Sequence, residues 1–348
     1  MKLSDFDFEL PKELIAQKPS LRRGESRLMV LDRSREAIEH TTFNTLPEYL
    51  KHSPLMVFNN TRVLPAKLEG IWTDNGKPVE ILLVREENPG TWLVLMKNLK
   101  KFKPGERLCF GGGTLQAEFM GRQEDSGLVR FESPETLTDQ LESVGKMPLP
   151  HYIDRSPGSA NADTDALDRE RYQTVFAQKP GAIAAPTAGL HFTREMLDHL
   201  KAITDAVYLT LHVGPGTFQP VRVEDIREHR MLEENYQIPV DTWNALWQAK
   251  KNARKILAVG TTSTRVLESV TLDRMEKKDV SGWSDRFLYP GQTFRNTDHL
   301  LTNFHLPKST LYMLACGFAG SSLLKNAYKE AIQARYRFFS YGDAMLIL

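Results

Sequence analysis

Three textures of apolar and polar positions succeed one another along the chain. Over residues 1–64, the short apolar runs LMVLDR (28–33) and PLMVFNN (54–60) have the length of buried strands, and LPEYLK (46–51) supplies one or two helical turns between them. Over about 66–148, runs such as VEILLVRE, TWLVLMKN, RLCFGG and GLVRFE recur without a sustained helical period. Turn residues separate them: Asp74-Asn75-Gly76, Asn88-Pro89-Gly90, Pro104-Gly105, Gly111 to Gly113 and Asp125-Ser126-Gly127. Strands punctuated this closely predict a small antiparallel barrel or sandwich. The polar, Pro-containing stretch over 150–170 reads as a mobile loop. Beyond it GAIAAP precedes a helix over 194–202, DAVYLTLHVG precedes a loop, a helix over 241–253 precedes KILAVG, and GTTSTRVLESV opens another helix. Such alternation predicts a largely parallel sheet with helices on its faces. The economical arrangement is an α/β protein with a mixed sheet and flanking helices, interrupted by an inserted antiparallel β-barrel. Its expected domains are 1–64 with 151–348, discontinuous and α/β, and 65–150, the inserted barrel.

Composition narrows the function. With 348 residues the chain can bury a sizeable core, and 41% hydrophobic with 26% charged residues is ordinary for a globular protein. A formal net charge of +1 carries no global basic character, so a nucleic-acid partner has to be met by local patches. The two cysteines, Cys109 and Cys316, form neither a disulfide framework nor a CxxC site and point to a reducing compartment. The opening MKLSDFDFELPKEL is acidic and lacks the apolar core of a secretion signal, and no run reaches the ~18 apolar residues of a membrane span. The expectation is a cytoplasmic protein with no membrane contact, monomeric by default.

Three strand-to-helix or strand-to-loop junctions hold the candidate chemistry. In AAPTAGLHFT (184–193), Thr193 is placed as a helix N-cap, Phe192 and Leu197 as a hydrophobic staple, and Glu195 in the dipole-favoured first turn. Those local roles leave Pro186, Thr187, Ala188, Gly189 and His191 unexplained. A Gly turn before a helix N-terminus is where open α/β sheets receive anionic parts of ligands, and an ordinary tight turn is the equal alternative. In DAVYLTLHVGPGTFQPV (205–221), alternation puts Val207, Leu209, Leu211 and Val213 on one face and Tyr208, Thr210 and His212 on the other. The second face is polar, so the strand reads as buried on one side only. Gly214-Pro215-Gly216 then breaks it as a ligand-approach loop would, the alternative being a satisfied histidine at a sheet edge. In KILAVGTTSTRVLES (255–269), Gly260 is followed by Thr261, Thr262, Ser263 and Thr264. One hydroxyl suffices for a cap, so four in a row point to a hydrogen-bonding cradle for a carboxylate, ribose or phosphate. Neither GxGxxG nor GxxxxGK[ST] occurs, which disfavours a dinucleotide or P-loop site.

The C-terminal third contributes LLTNFHLPKSTLYMLACGFAG (300–320), with a helix start over 307–310, and YRFFSYGDAMLIL (336–348), where four aromatics accompany Arg337 and Asp343. Such clusters are usually core, and the alternative is the wall of a base pocket or a cation contact. Basic residues gather at Lys97, Lys100, Lys101, Lys103 and Arg107 around Phe102, and at Arg22, Arg23 and Arg27. Either group reads as a solvated face or as phosphate contacts to single-stranded RNA. Histidines fall in neither HExxH nor HxxxH spacing, so no metal site is expected.

Taken in order, FELPKELIAQKP with SRLMVLDR, FNNTRVLPAKL, YQTVFA, AAPTAGLHFT, LHVGPGTFQPV, GTTSTRVLES, LYPGQTF, LLTNFHLPKSTLYML and YRFFSYGDAML closely resemble the S-adenosylmethionine:tRNA ribosyltransferase-isomerase family of queuosine biosynthesis. The resemblance spans nearly the whole chain. Asn60 stands where the family commonly has Asp and Lys67 where it has Arg. Gly24-Glu25 replaces an Asp-containing pair and Leu232-Glu233 a frequent His-Ser, and no role is assigned to those positions. The resemblance implies transfer of the ribosyl portion of S-adenosylmethionine to 7-aminomethyl-7-deazaguanine (preQ1) at the tRNA wobble position, with isomerisation to epoxyqueuosine and release of adenine and methionine. It implies S-adenosylmethionine as co-substrate, no bound cofactor, the anticodon loop of tRNA as partner, and the α/β-plus-barrel architecture.

That chemistry sets requirements. The attacking alkylamine, with a pKa near 10, costs about 4 kcal/mol to hold neutral at pH 7. The sulfonium acidifies its C5′ protons, and the leaving adenine needs a proton. Histidines titrate in the useful range. The resemblance, with the junctions above, assigns His191 and His212 to proton transfer. Thr187, Gly189, Gly214 and Gly216 would position the ligand, and Thr261, Thr262 and Ser263 would hold the methionine carboxylate or ribose hydroxyls. Arg337 and Asp343 would contact base or phosphate, and Lys97, Lys100, Lys101, Lys103, Arg22, Arg23 and Arg27 the RNA. The rival readings are an S-adenosylmethionine-dependent methyltransferase, which the missing glycine fingerprint disfavours, and a non-catalytic RNA-binding module.

Overall fold

The computed structural model describes residues 1–50, 52–155, 162–214, 216 and 220–348. In chain order, β1 (Arg27–Asp32), β2 (Ala37–Thr42), β3 (Leu55–Asn59) and β4 (Thr61–Val63) precede the barrel strands β5 (Lys67–Trp72), β6 (Pro78–Asn88), β7 (Thr91–Met96), β8 (Arg107–Phe110), β9 (Leu115–Gln123) and β10 (Ser126–Phe131). Helices α1 (Leu137–Val144) and α2 (Ala162–Arg171) lead to β11 (Lys179–Ala182), α3 (Arg194–Lys201) and β12 (Ala206–Leu211). Then follow β13 (Glu234–Ile238), α4 (Val240–Lys251), β14 (Ile256–Val259), α5 (Thr261–Leu267), β15 (Val280–Ser284), β16 (His299–Asn303), α6 (Thr310–Ala319), α7 (Ser321–Gln333) and β17 (Ala344–Ile347).

The large sheet has nine strands in the order β15-β13-β12-β3-β14-β16-β17-β1-β2. Its centre, β12, β3, β14 and β16, is parallel, and antiparallel pairs flank it, so the sheet is mixed. Both faces are covered, and side-chain alternation sorts the core. Met29, Leu31, Val57, Leu209, Leu211 and Ala258 pack with helices α4 to α7, while Leu28, Val30, Met56, Phe58, Leu257 and Leu301 pack with Phe43, Phe192, Leu197 and Leu200. Two-sided cover corrects the expectation for β12: Thr210, on its polar face, is buried and donates to Asn60 Oδ1 at 2.7 Å.

The inserted strands form a closed antiparallel barrel in the order β10-β7-β6-β5-β8-β9, filled by Leu68, Ile81, Val94, Leu108, Phe119 and Val129. The chain leaves for the barrel and returns side by side, since the Lys67 and Lys146 backbones exchange hydrogen bonds of 3.1 and 2.8 Å. A Cβ on Gly145 would lie 1.9 Å from the Pro65 carbonyl oxygen, so this crossing requires glycine.

Local expectations fared unevenly. The helices expected over 194–202 and 241–253 are α3 and α4, within two residues at each end. The turns expected over 46–51 form earlier, as a 3-10 helix over Phe43–Tyr49, because the apolar anchors Phe43 and Leu46 pack under the sheet. The loop expected over 150–170 contains α2, held by the Arg155–Asp168 pair at 2.7 Å; residues 156–161 of it lie outside the described residues.

Candidate functional site

The parallel strands β12, β3, β14 and β16 end on one side of the sheet, and a cavity of about 530 Å³ opens where the segments leaving β12, β14 and β16 converge. Its walls come from Ala185 to Thr187 after β11, Val213 after β12, the first turn of α5, Asn303 and His305 at the end of β16, Phe339 and Ser340 before β17, and His151 and Tyr152 on the return from the barrel. A crevice of this size beyond carboxyl strand ends suits a nucleoside-sized ligand.

One oxygen in this lining stands out. Thr262 Oγ1 is buried and has no hydrogen-bond partner among the described residues, and the side chain of Asn303, also buried, interacts with the His191 ring. Asn303 is fixed by its amide, which donates to the Phe339 carbonyl at 2.9 Å. His305 bonds Thr302 Oγ1 through Nε2 at 2.8 Å, and burial pushes its pKa down to about 3, so the ring is neutral at pH 7. Tyr152 hydrogen-bonds the Ser340 hydroxyl and lies against the Phe339 ring at 4.2 Å. Lys308 pairs with Asp7 at 2.6 Å, and Ser309 caps α6 by accepting from the Tyr312 amide at 3.2 Å.

Of the residues expected from sequence, Thr187, Thr261 and Thr262 line this cavity. The hydroxyl row after Gly260 divides by helix geometry: Ser263 Oγ donates to the Val259 carbonyl at 2.9 Å and Thr264 Oγ1 to the Gly260 carbonyl at 3.1 Å, so both are spent inside the helix. His191 does not line the cavity. It is buried, its Nδ1 lies 2.7 Å from Ser26 Oγ, its ring stacks near Phe43 at 5.0 Å, and burial pushes its pKa down to about 4, against the opposing pull of Asp343. His212 bonds Thr61 Oγ1 at 2.8 Å through Nδ1, and burial lowers its pKa also. Gly189 packs on Phe176 and Thr174, Gly216 faces Leu232, and the Gly214 amide donates to Glu234 Oε1 at 2.8 Å. Pro215, between those glycines, lies outside the described residues.

Asp343 accepts from the Arg27 and Arg337 amides at 3.0 and 2.8 Å and pairs with the Arg27 guanidinium at 2.9 Å. Arg337 donates to the Tyr341 carbonyl at 2.7 Å. Arg27 lies over the Tyr336 ring at 4.2 Å. Arg23 donates to the carbonyls of Leu190, Glu170 and Gln173. These four residues tie the chain's ends and the 3-10 turn over Thr187–His191 together. Arg22 is exposed, as are Lys97, Lys100, Lys101 and Lys103. Phe102 between the lysines is barrel core, 3.7 Å from the Trp72 ring, and offers no stacking surface. Among the described residues no group of three or more His, Cys, Asp and Glu is placed to hold a metal ion, and no helix is long and apolar enough to cross a membrane.

A family model described as queuosine biosynthesis protein matches residues 3–347. The chain belongs to this family. It is 45% identical to the S-adenosylmethionine:tRNA ribosyltransferase-isomerase of Halothermothrix orenii and 46% identical to that of Staphylococcus haemolyticus, covering all of both chains in each case. A crystal structure of the S-adenosylmethionine tRNA ribosyltransferase of Thermotoga maritima is 36% identical, with a TM-score of 0.55 over 99% of this chain and all of that one. Within this member of the family, the residues that sequence reasoning passed over are His151, Tyr152, Asn303, His305 and Ser340. The motif LLTNFHLPKST contains two of them, and its polar TNFH at the end of an apolar strand was the available sign.

Proposed function

We propose that the protein is an S-adenosylmethionine:tRNA ribosyltransferase-isomerase, moving the ribosyl portion of S-adenosylmethionine onto the aminomethyl group of a 7-deazaguanine base at the tRNA wobble position. The product is epoxyqueuosine, with adenine and methionine released. The observation that carries the siting of this reaction is the cavity with the unpartnered Thr262 Oγ1 in its wall. A buried hydroxyl without an internal partner is costly unless a ligand supplies the missing bond, and a ribose hydroxyl or an adenine amino group supplies it.

The same burial that keeps His305 neutral favours the neutral form of an alkylamine entering the cavity, so much of the ~4 kcal/mol of amine deprotonation comes from desolvation rather than from a strong base. His305 is then a hydrogen-bonding group that orients the nucleoside. His151, exposed at the rim, is the imidazole of the lining that stands between ligand and solvent. His191 and His212 act as positioning residues, on the turn after Pro186 and beside Thr61. The exposed lysines of the barrel loop, on a domain spanning 65–150, meet RNA phosphates.

The test is incubation with preQ1-bearing tRNA and S-adenosylmethionine, with mass analysis of nucleosides and small products. Epoxyqueuosine, adenine and methionine are expected; S-adenosylhomocysteine instead would make the protein a methyltransferase. His151→Ala and His305→Ala are each expected to slow adenine release at least tenfold. Normal turnover in both would move the chemistry to another cavity.

A further inference from the structure

A second recess, of about 280 Å³, lies where the barrel meets the α/β layer, away from the strand ends described above. Three guanidinium-bearing residues from three elements line it: Arg62 of β4, Arg169 of α2 and Arg194 at the start of α3. Among the described residues, the one carboxylate in its lining is Glu142 of α1, 2.7 Å from Arg62 and 3.8 Å from Arg169. Arg194 is exposed, and the one carboxylate its charge is seen to act on among the described residues is that of its neighbour Glu195, outside the recess lining. Thr174, only 4% exposed, lines the same recess, and its Oγ1 has no hydrogen-bond partner.

A structural clamp on Glu142 accounts for two arginines. It accounts neither for the third nor for a buried hydroxyl left without a partner, which costs stability unless something binds there. Arg169 donates to the Glu142 and Gly145 carbonyls and so adds charge more than free donors, while Arg62, Arg194 and the Thr174 hydroxyl against a single carboxylate match a tetrahedral oxyanion. We propose that it receives a backbone phosphate of the RNA substrate, with Arg62, Arg169 and Arg194 as the cationic contacts and Thr174 as the neutral donor. Glu142 is the internal anion that holds Arg62 until the phosphate arrives, and Arg169 stays anchored on the Glu142 and Gly145 carbonyls. The inference rests on the tRNA reading above and adds to it a docking point between the two layers, separate from the lysine loop.

The experiment measures tRNA binding by fluorescence anisotropy across a salt series, with S-adenosylmethionine binding and thermal melting as controls. Arg194→Ala, at an exposed helix start, is the variant least able to disturb folding. It is expected to weaken tRNA about tenfold and to lower the salt slope by about one ion. Thr174→Val is expected to weaken binding two- to threefold and Glu142→Gln to tighten it several-fold, with S-adenosylmethionine binding unchanged throughout. Arg194→Lys, which keeps a point charge, is expected to recover part of the loss. If wild-type protein binds no tRNA, the tRNA reading itself falls. If wild type binds and Arg194→Ala and Thr174→Val retain its affinity and slope, this inference alone is overturned. If inorganic phosphate stabilises the protein through Arg194 while tRNA binding ignores every variant, the recess serves a small anion and the RNA assignment is wrong.

Discussion

Thr262 and Ser263 are neighbours of similar chemistry, yet helix geometry gives them opposite fates. Ser263 bonds back to Val259, whereas Thr262 Oγ1 is left without an internal partner in the cavity wall. Thr262→Val keeps the shape and removes the hydroxyl, so KM for S-adenosylmethionine is expected to rise up to about tenfold with the melting temperature unchanged. Ser263→Ala is expected to do the reverse, losing about 1 kcal/mol of stability with KM unaffected. Steady-state kinetics and urea unfolding on the two variants check the pair; a KM effect from Ser263→Ala would contradict it. This difference was not legible in TTST, because the pattern locates a hydroxyl-rich helix start without telling which side chains turn back on the preceding carbonyls. His191 is a similar case. Its position in AAPTAGLHFT marks a polar turn whose Thr187 lines the cavity, but its direction depends on Ser26, Phe43 and Asn303, all distant in sequence.

Elements carry the next level of control. The cap and staple of α3 were readable because they are local: Thr193 Oγ1 accepts from the Met196 amide at 3.1 Å, and Phe192 and Leu197 share one core. The loop leaving β12 was not, because its support is non-local. Glu234 on β13 takes the Gly214 amide and pairs with Arg265 of α5, both side chains being 3% exposed. Arg265 also donates to the Arg286 carbonyl at 3.2 Å, so the pair is hydrogen-bonded on several sides. Glu234→Ala leaves a buried guanidinium uncompensated and is expected to cost about 3–5 kcal/mol, measured by urea unfolding. Glu234→Gln, keeping an acceptor for the Gly214 amide, is expected to cost less. At the next junction, Gly181 has φ +147°, and a Cβ there would stand 2.8 Å from the His212 ring. Gly181→Ala is expected to cost about 1–3 kcal/mol and to displace His212, visible as a shifted imidazole resonance; an unmoved resonance would mean that β11 yields instead.

At the scale of the molecule, the inserted barrel was legible because turn spacing changes abruptly near 66 and 148, whereas the strand order was not. The last strand, β17, pairs in parallel with β1 and antiparallel with β16, and nothing in AMLI announces a partner three hundred residues away. Closing the sheet this way buries imidazoles from remote parts of the chain, and that has a consequence for acid stability. Burial lowers His191 to about 4 and His305 to about 3, and lowers His212, His229 and His299 as well. Unfolded histidines titrate near 6.5, so as pH falls below about 7 the unfolded chain takes up protons that the folded chain refuses. Stability therefore drops with falling pH from about 7 until each folded pKa is reached. For His191 and His305 together the loss between pH 7 and pH 5 is roughly 4 kcal/mol, a large share of the ~5–15 kcal/mol of a typical domain. Carboxylates contribute in a lower window: Asp32, held near 2 by its bond from Ser34, adds stability that is complete above about 4 and is lost as pH falls through about 2. Urea midpoints at pH 7, 6 and 5 are expected to decline steadily, and the double variant His191→Gln, His305→Gln to decline about half as steeply or less. Equal slopes in the two proteins would show that these rings are not the groups refusing the protons, and that they reach water in the folded state.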